Sequence, residues 1–257
     1  MLKKRLIFTL LYNSGNFMLS RNFRLQKVGD FSWLNKHYNF EKIAFSIDEL
    51  IILDVTREGR NINDFSKAIK EVIKNVFVPV AVGGGIRTLD DAKLLLDSGA
   101  DKIVLNSSLS NDKELIKTLV KSYGSQFIVG AVDYLIENNI KNVYIENGTL
   151  KIEQNLEKYL EDVEQLSIGE IYLNSIQKDG TGQGFDISLI SDLLDQIKIP
   201  VIIAGGAGNH LHLIDGLKRE DVDAVATANL FNFLGDGLPQ ARKQILEEKI
   251  NIAKWNI

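Results

Sequence analysis

Cysteine is absent from the 257 residues. That excludes disulfides and thiolate metal sites and fits a reducing compartment. No run of eighteen apolar residues occurs, so nothing in the sequence reads as a membrane span. The opening MLKKRLIFTLLYNSG has the cations of a secretory leader. Its apolar run, Ile7–Leu11, is too short for one, and no small-residue cleavage site follows. A soluble, cytoplasmic protein is expected. A basic excess is also missing: 30 Lys and Arg stand against 34 Asp and Glu, a formal charge of −4. With no basic field to gather phosphates, nucleic acid is not the expected partner. The three histidines, His37, His210 and His212, have neither ligand spacing nor acidic neighbours, so no metal and no other cofactor is assigned. Linkers and low-complexity segments are absent too, and the 45% hydrophobic content suffices for one large core.

What is present is a sentence written twice. Val78–Leu109 runs from Pro79 through an apolar strand, Val80–Val82, into Gly83-Gly84-Gly85. An amphipathic helix around Leu89–Leu96 follows, then a second strand, Lys102–Leu105, ending in Asn106-Ser107-Ser108. Pro200–Ala204, Gly205–Gly208, a helix near Leu211–Leu217 and Ala224–Ala228 before Asn229 repeat the order. The landmarks Pro79/Pro200, Gly84/Gly205 and Asn106/Asn229 are offset by 121, 121 and 123 residues. LDVTREG (Leu53–Gly59) likewise answers LNSIQKDG (Leu173–Gly180).

The rest of the chain supplies the other strands and helices. Strands are expected at Arg5–Leu11, Glu49–Asp54, Phe127–Asp133 and Glu170–Ser175. Helices are expected at Phe31–Tyr38 with an irregular tail to Phe45, and at Asn61–Asn75, Asp112–Tyr123, Leu156–Gln165, Ile187–Ile197 and about Gln240–Ile250. Tyr12–Arg24 reads as a long polar-aromatic loop over the first strand's end. NVYIENGTLKIE, within Ile140–Glu153, reads as a β-hairpin turned at Asn147-Gly148. Eight alternating βα units in two similar halves predict one domain over 1–257. Its fold is an α/β (β/α)8 TIM barrel with a hairpin insertion after strand five.

In such a barrel chemistry gathers where the strands end. Two glycine loops, each followed by a polar turn, suggest two cradles for anionic oxygens, suited to a substrate phosphorylated at both ends. Asp133, ending strand five, is the candidate acid–base group. The internal repeat places Leu11 opposite it, so a carboxylate pair is half missing. At the other ends of the strands stand Arg5, Glu49, Lys102 and Glu170. They read either as a charged ring closing the floor or as ordinary solvated rim charges.

The motifs KRLI (Lys4–Ile7), DELIILD (Asp48–Asp54), VGGGI (Val82–Ile86), GADK (Gly99–Lys102), GSQ (Gly124–Gln126), DGTGQGFD (Asp179–Asp186) and GGAG (Gly205–Gly208) resemble the HisF family over essentially the whole chain. HisF is the cyclase subunit of imidazole glycerol phosphate synthase. The resemblance implies a HisH-type glutaminase partner, which feeds ammonia through the barrel to a bisphosphorylated ribulosyl-type substrate. It places an ammonia gate on Arg5, Glu49, Lys102 and Glu170, and glutaminase docking on Asp101. It places phosphate binding on Gly85, Asn106, Ser107, Gly180, Gly206, Ala228 and Asn229, and the second catalytic aspartate on Asp133. The first catalytic aspartate falls on Leu11, the loop lysine on Leu19, a serine on Ala204, and a usual threonine on Asn174. These departures resemble a divergent HisF-like branch. In that branch the barrel conducts ammonia to a separate sugar amidotransferase, which converts an acetamido to an acetamidino sugar of a surface polysaccharide. The alternatives are a true cyclase of histidine biosynthesis, with Asp54 or the Tyr12–Arg24 loop supplying the missing group, and a single-chain phosphosugar isomerase.

Overall fold

The computed structural model describes residues 3–38, 45–229, 232–233 and 235–255. Its elements in chain order are β1 (Arg5–Asn13), β2 (Asn16–Arg21), β3 (Arg24–Gly29), α1 (Phe31–His37), β4 (Glu49–Asp54), α2 (Ile62–Ile73), β5 (Val80–Gly83), α3 (Leu89–Leu96), β6 (Lys102–Leu105), α4 (Ser107–Asn111) and α5 (Lys113–Tyr123). They continue with β7 (Ile128–Glu137), β8 (Ile140–Ile145), β9 (Leu150–Asn155), α6 (Leu156–Glu164), β10 (Glu170–Ser175), α7 (Ile187–Leu194), β11 (Val201–Ala204), α8 (His210–Leu217), β12 (Ala224–Thr227) and α9 (Gly237–Glu247).

Eight strands pair in parallel in the order β1-β4-β5-β6-β7-β10-β11-β12, and β12 returns to β1. The sheet is a closed (β/α)8 barrel, as the repeat predicts. Its strands are buried on both faces, so they read as apolar runs without alternation. One face fills the barrel with Ile7, Ile51, Val104, Val129, Tyr172 and Ile202 among several alanines. The other packs against the helices through residues such as Leu6, Phe8, Leu50, Ile52, Ile103 and Ile171. The helices start where the sequence caps them. The Asn61 side chain accepts from the N–H groups of Asn63 and Asp64, and Thr88 and Asp91 form a reciprocal capping box. Each such cap is worth about 1 kcal/mol.

Each half begins with its longest barrel strand, and each long strand folds back antiparallel. β7 continues past Asp133 to Glu137, turns at Asn138-Asn139 and pairs with β8, which turns again around Asn147-Gly148 into β9. The expected hairpin is there, reached by a strand that ends four residues later than read. The Tyr12–Arg24 loop is a correction: β1 extends to Asn13, turns at Ser14-Gly15 and pairs with β2, which pairs in turn with β3. Both turns carry left-handed residues, Ser14 and Gly15, then Asn22 and Phe23, the backbone that two-residue hairpins need. A register shift at Phe17/Met18 buries two successive side chains, which erased the alternation that would have announced a strand. α9 starts earlier than read and ends at Glu247, with Pro239 accommodated in its first turn. Of the tail expected after the first helix, residues 39–44 lie outside the described residues.

The two ends of the chain close the barrel floor together. Ile252 bridges to Lys4, whose ammonium donates to the carbonyls of Arg219 and Val222. Arg242, only 4% exposed, grips both oxygens of Asp48 at 2.8 and 3.0 Å and donates to the carbonyls of Ser46 and Ala253.

Candidate functional site

Inward-facing side chains recur every second residue along each strand. On β1 they are Arg5, Ile7, Thr9 and Leu11; on β7, Val129, Ala131 and Asp133; on β10, Glu170, Tyr172 and Asn174. Midway along the interior the hydroxyls of Thr9 and Tyr172 meet at 3.5 Å.

At the amino-terminal ends of the strands the four charged residues meet. Arg5 reaches Glu49 at 2.7 Å and Glu170 at 2.6 Å; Lys102 reaches Glu49 at 3.0 Å and Glu170 at 2.6 Å. Cation and anion alternate around a closed ring, with Glu49 and Glu170 only 2% and 5% exposed. Burial would raise the Glu170 carboxyl, but Arg5 and Lys102 outweigh it and hold it below its ordinary range. Burial and the neighbouring Glu170 raise that of Glu49, against the pull of both cations. Asp101 is exposed at the same end, and its carboxylate accepts the Val80 N–H at 2.8 Å. Asp223 does the same for Val201, so this contact belongs to the repeat.

At the opposite mouth Asp133 is the acid that faces inward. Asn174 donates to its Oδ1 at 3.0 Å and Asn106 to its Oδ2 at 3.2 Å. Burial, with a smaller contribution from Asp179, pushes its carboxyl up to about 7 despite the Asn174 hydrogen bond. Leu11 stands in register with Leu53 on one side and Met18 on the other, a hydrocarbon setting. Three other acids near the mouth among the described residues have partners of their own. Asp54 alternates with inward-facing Leu53 and so turns away from the axis, where it accepts the Thr56 N–H and lies 3.6 Å from Arg60. Asp179 is held by the Ser20 hydroxyl and the Phe23 N–H of the β2–β3 hairpin, and Asp186 by Ser175 and Gln177. Neither Asp54 nor the hairpin offers a replacement carboxylate beside Leu11.

The residues read as cradles fall into two groups. Gly85, Asn106 and Ser107 follow β5 and β6. The Ser107 hydroxyl accepts the Glu146 N–H, and the Asn106 amide is engaged by Asp133 and the Ala131 carbonyl. Gly180, Gly206, Ala228 and Asn229 follow β10, β11 and β12. There the Gly206 carbonyl accepts the Gly184 N–H at 2.9 Å, and Asn229 Oδ1 accepts the Asn232 N–H. Gly180, at φ +67, lies beneath the hairpin: a Cβ would stand 1.9 Å from the Ser20 carbonyl oxygen. Among the described residues no cluster of three or more His, Asp or Glu could hold a metal ion. None of their helices is long and apolar enough to cross a membrane.

Comparison with known proteins decides the family. The family described as "Histidine biosynthesis protein" matches residues 24–235. The chain is 35% identical over 254 residues to the imidazole glycerol phosphate synthase subunit HisF of Hydrogenobaculum sp., covering 98% of this chain and 99% of that one. The chain belongs to the HisF family. A HisF subunit of Sulfurisphaera tokodaii is 36% identical over 259 residues, covering 98% and 99% of the two chains. A protein of Parasynechococcus marenigrum that carries the name hisF2 is 44% identical over 256 residues, covering 99% and 95%.

In this HisF barrel the half-buried Asp133 has a measurable signature. Its carboxyl is raised in the fold, so its contribution to stability is fully present below the unfolded pKa near 4 and lost as pH rises through about 7. Asp133→Asn, which fixes the neutral form, is therefore expected to be more stable than the wild type at pH 8 by about 2–4 kcal/mol, given 1.36 per pKa unit. The advantage should vanish near pH 4. Urea unfolding at both pH values checks this; an Asn variant less stable than the wild type at pH 8 would refute it.

Proposed function

We propose that this chain is the ammonia-accepting synthase subunit of a glutamine amidotransferase, working with a HisH-type glutaminase docked on the floor of its barrel. The observation that carries the reading is the closed ring of Arg5, Glu49, Lys102 and Glu170. Two buried glutamates clasped by two half-buried cations across the axis are an expensive way to plug a barrel, because apolar side chains fill such a space at least as stably. A ring of ion pairs can instead part to admit a small polar molecule. Above it the wall includes Ala81, Ala131, Ala204, Ala224 and Ala226, small side chains that suit passage of neutral ammonia. Asp101, exposed at the same end, fits a docking role.

In this proposal the mouth holds a phosphorylated molecule between its two cradles but closes an imidazole ring poorly, because Leu11 cannot move a proton. Ammonia is then handed to another acceptor, and the departures at Leu11, Leu19, Ala204 and Asn174 favour amidation of a surface-polysaccharide sugar by a separate amidotransferase. A second reading, cyclase of histidine biosynthesis, is favoured by the Asp133 carboxyl near 7, a value suited to proton transfer at neutral pH. The test supplies ammonium and the bisphosphorylated ribulosyl substrate and measures imidazole glycerol phosphate. Turnover at least a hundredfold below that of a HisF subunit with both aspartates, about the contribution of one acid–base group, is expected. Equal turnover would establish the cyclase instead.

A further inference from the structure

Arg60, in the loop between β4 and α2, is a cation only partly engaged, pairing with Asp54 through Nε alone. Its guanidinium makes no hydrogen bond among the described residues, and its Nε is buried without a hydrogen-bond partner. The nearest acid, Asp54, lies 3.6 Å from that nitrogen, beyond hydrogen-bonding range, and is itself fixed by the Thr56 N–H at 2.9 Å. Asp54 thus orients the arginine through one edge and leaves the two terminal amino groups free. The side chain then lies along Gly85, at φ +76: a Cβ there would stand 2.4 Å from Arg60 Cδ and 3.2 Å from its Nη1. The missing side chain is what lets the guanidinium reach the glycine loop.

We propose that Arg60 is a direct ligand of the anion held at the first glycine cradle, a phosphomonoester. It adds a planar donor fork to the loop backbone and the Ser107 hydroxyl. The inference rests on the reading of the mouth as a site for a phosphorylated molecule. Guanidinium suits this task because its paired N–H groups match two phosphate oxygens. The second cradle is built differently. Lys178 runs beside Gly206, with its Cβ 3.2 Å from where a Gly206 Cβ would stand. Its ammonium is 3.7 Å from Asp186, about as far as Arg60 Nε is from Asp54. The second cradle therefore has a point charge where the first has a planar fork.

The test titrates the full chain with inorganic phosphate and with glycerol 3-phosphate, following the amide NMR signals of Gly84, Gly85, Ser107, Gly206 and Asn229. Arg60→Gln is expected to weaken binding at the first group by about tenfold or more, while Arg60→Lys, which keeps the charge but not the fork, loses less. Arg57→Gln, the same charge loss three residues away, should change it less than twofold. Thermal unfolding confirms that each variant is folded. Binding to Arg60→Gln within twofold of the wild type overturns the inference alone, as does phosphate that shifts only Gly206 and Asn229. Wild type that shows no shift with either probe at millimolar concentration overturns the phosphate reading and this inference together.

Discussion

Replacing Leu11 by aspartate is expected to raise ammonium-dependent formation of imidazole glycerol phosphate by about 10²–10⁴-fold, the usual contribution of one positioned acid–base group. The position is already rigid. β1 holds it between Leu53 and Met18, inward-facing like Asp133 on β7, so the new carboxylate needs no movement of the backbone to enter the mouth. Asp133 already has its carboxyl raised to about 7, so with an aspartate at position 11 the mouth would offer a group to give a proton and a group to take one. That is the division of labour that acid–base ring closure requires. The substitution carries a penalty, because Leu11 is 8% exposed among hydrocarbon neighbours. A partly satisfied polar group there costs about 1–3 kcal/mol, which the unfolding midpoint will report. Leu11→Asn has similar shape and polarity but cannot titrate, and should gain nothing. If Leu11→Asp folds, binds substrate and is no faster than the wild type, absence of the aspartate is not what limits this barrel.

Removing one anion from the floor is the second large effect. Glu49→Ala leaves Arg5 and Lys102 facing each other around Glu170 and is expected to destabilise the fold by about 3–5 kcal/mol, lowering the melting midpoint by roughly 10 °C. Replacing all four members by apolar residues of similar size should restore most of that stability, because no uncompensated charge remains. The two variants separate structure from function. If the ring exists to pass ammonia, the apolar floor should keep turnover with free ammonium at the mouth and lose turnover driven by glutamine and the glutaminase. Loss of both, in a folded variant, would count against a gate. The Glu170 carboxyl is depressed in the fold, so its share of stability is present above the unfolded value near 4.5 and disappears as pH falls through the lower one.

Much of this was legible in the amino-acid order, for identifiable reasons. Parallel strands buried on both faces are uninterrupted apolar runs, and glycine loops mark their ends, so the barrel and its two halves could be read from Val78–Leu109 and its copy. The ionic ring was legible only in part. Arg5, Glu49, Lys102 and Glu170 stand at strand starts, but that they alternate in sign around one level is a property of closure and shear. The hairpin after β1 was missed because a local irregularity buried Phe17 and Met18 together. Asp54 was a plausible substitute acid by position, and only its place in the alternation of β4 turns it from the axis. Arg60 gave no signal at all, since an arginine in TREGR looks like any solvated loop charge. What distinguishes it is a glycine twenty-five positions later whose missing side chain makes room for it.

The pairing of Lys4 with Ile252 has a practical corollary. Lys4 and Ile252 lie at the same pole as the ionic ring, so an affinity tag or reporter joined beyond either one is expected to crowd that pole and spare the other. Complex formation is best measured with a circular permutant, in which a short linker joins the old ends and the new ones open in the Asn147-Gly148 turn.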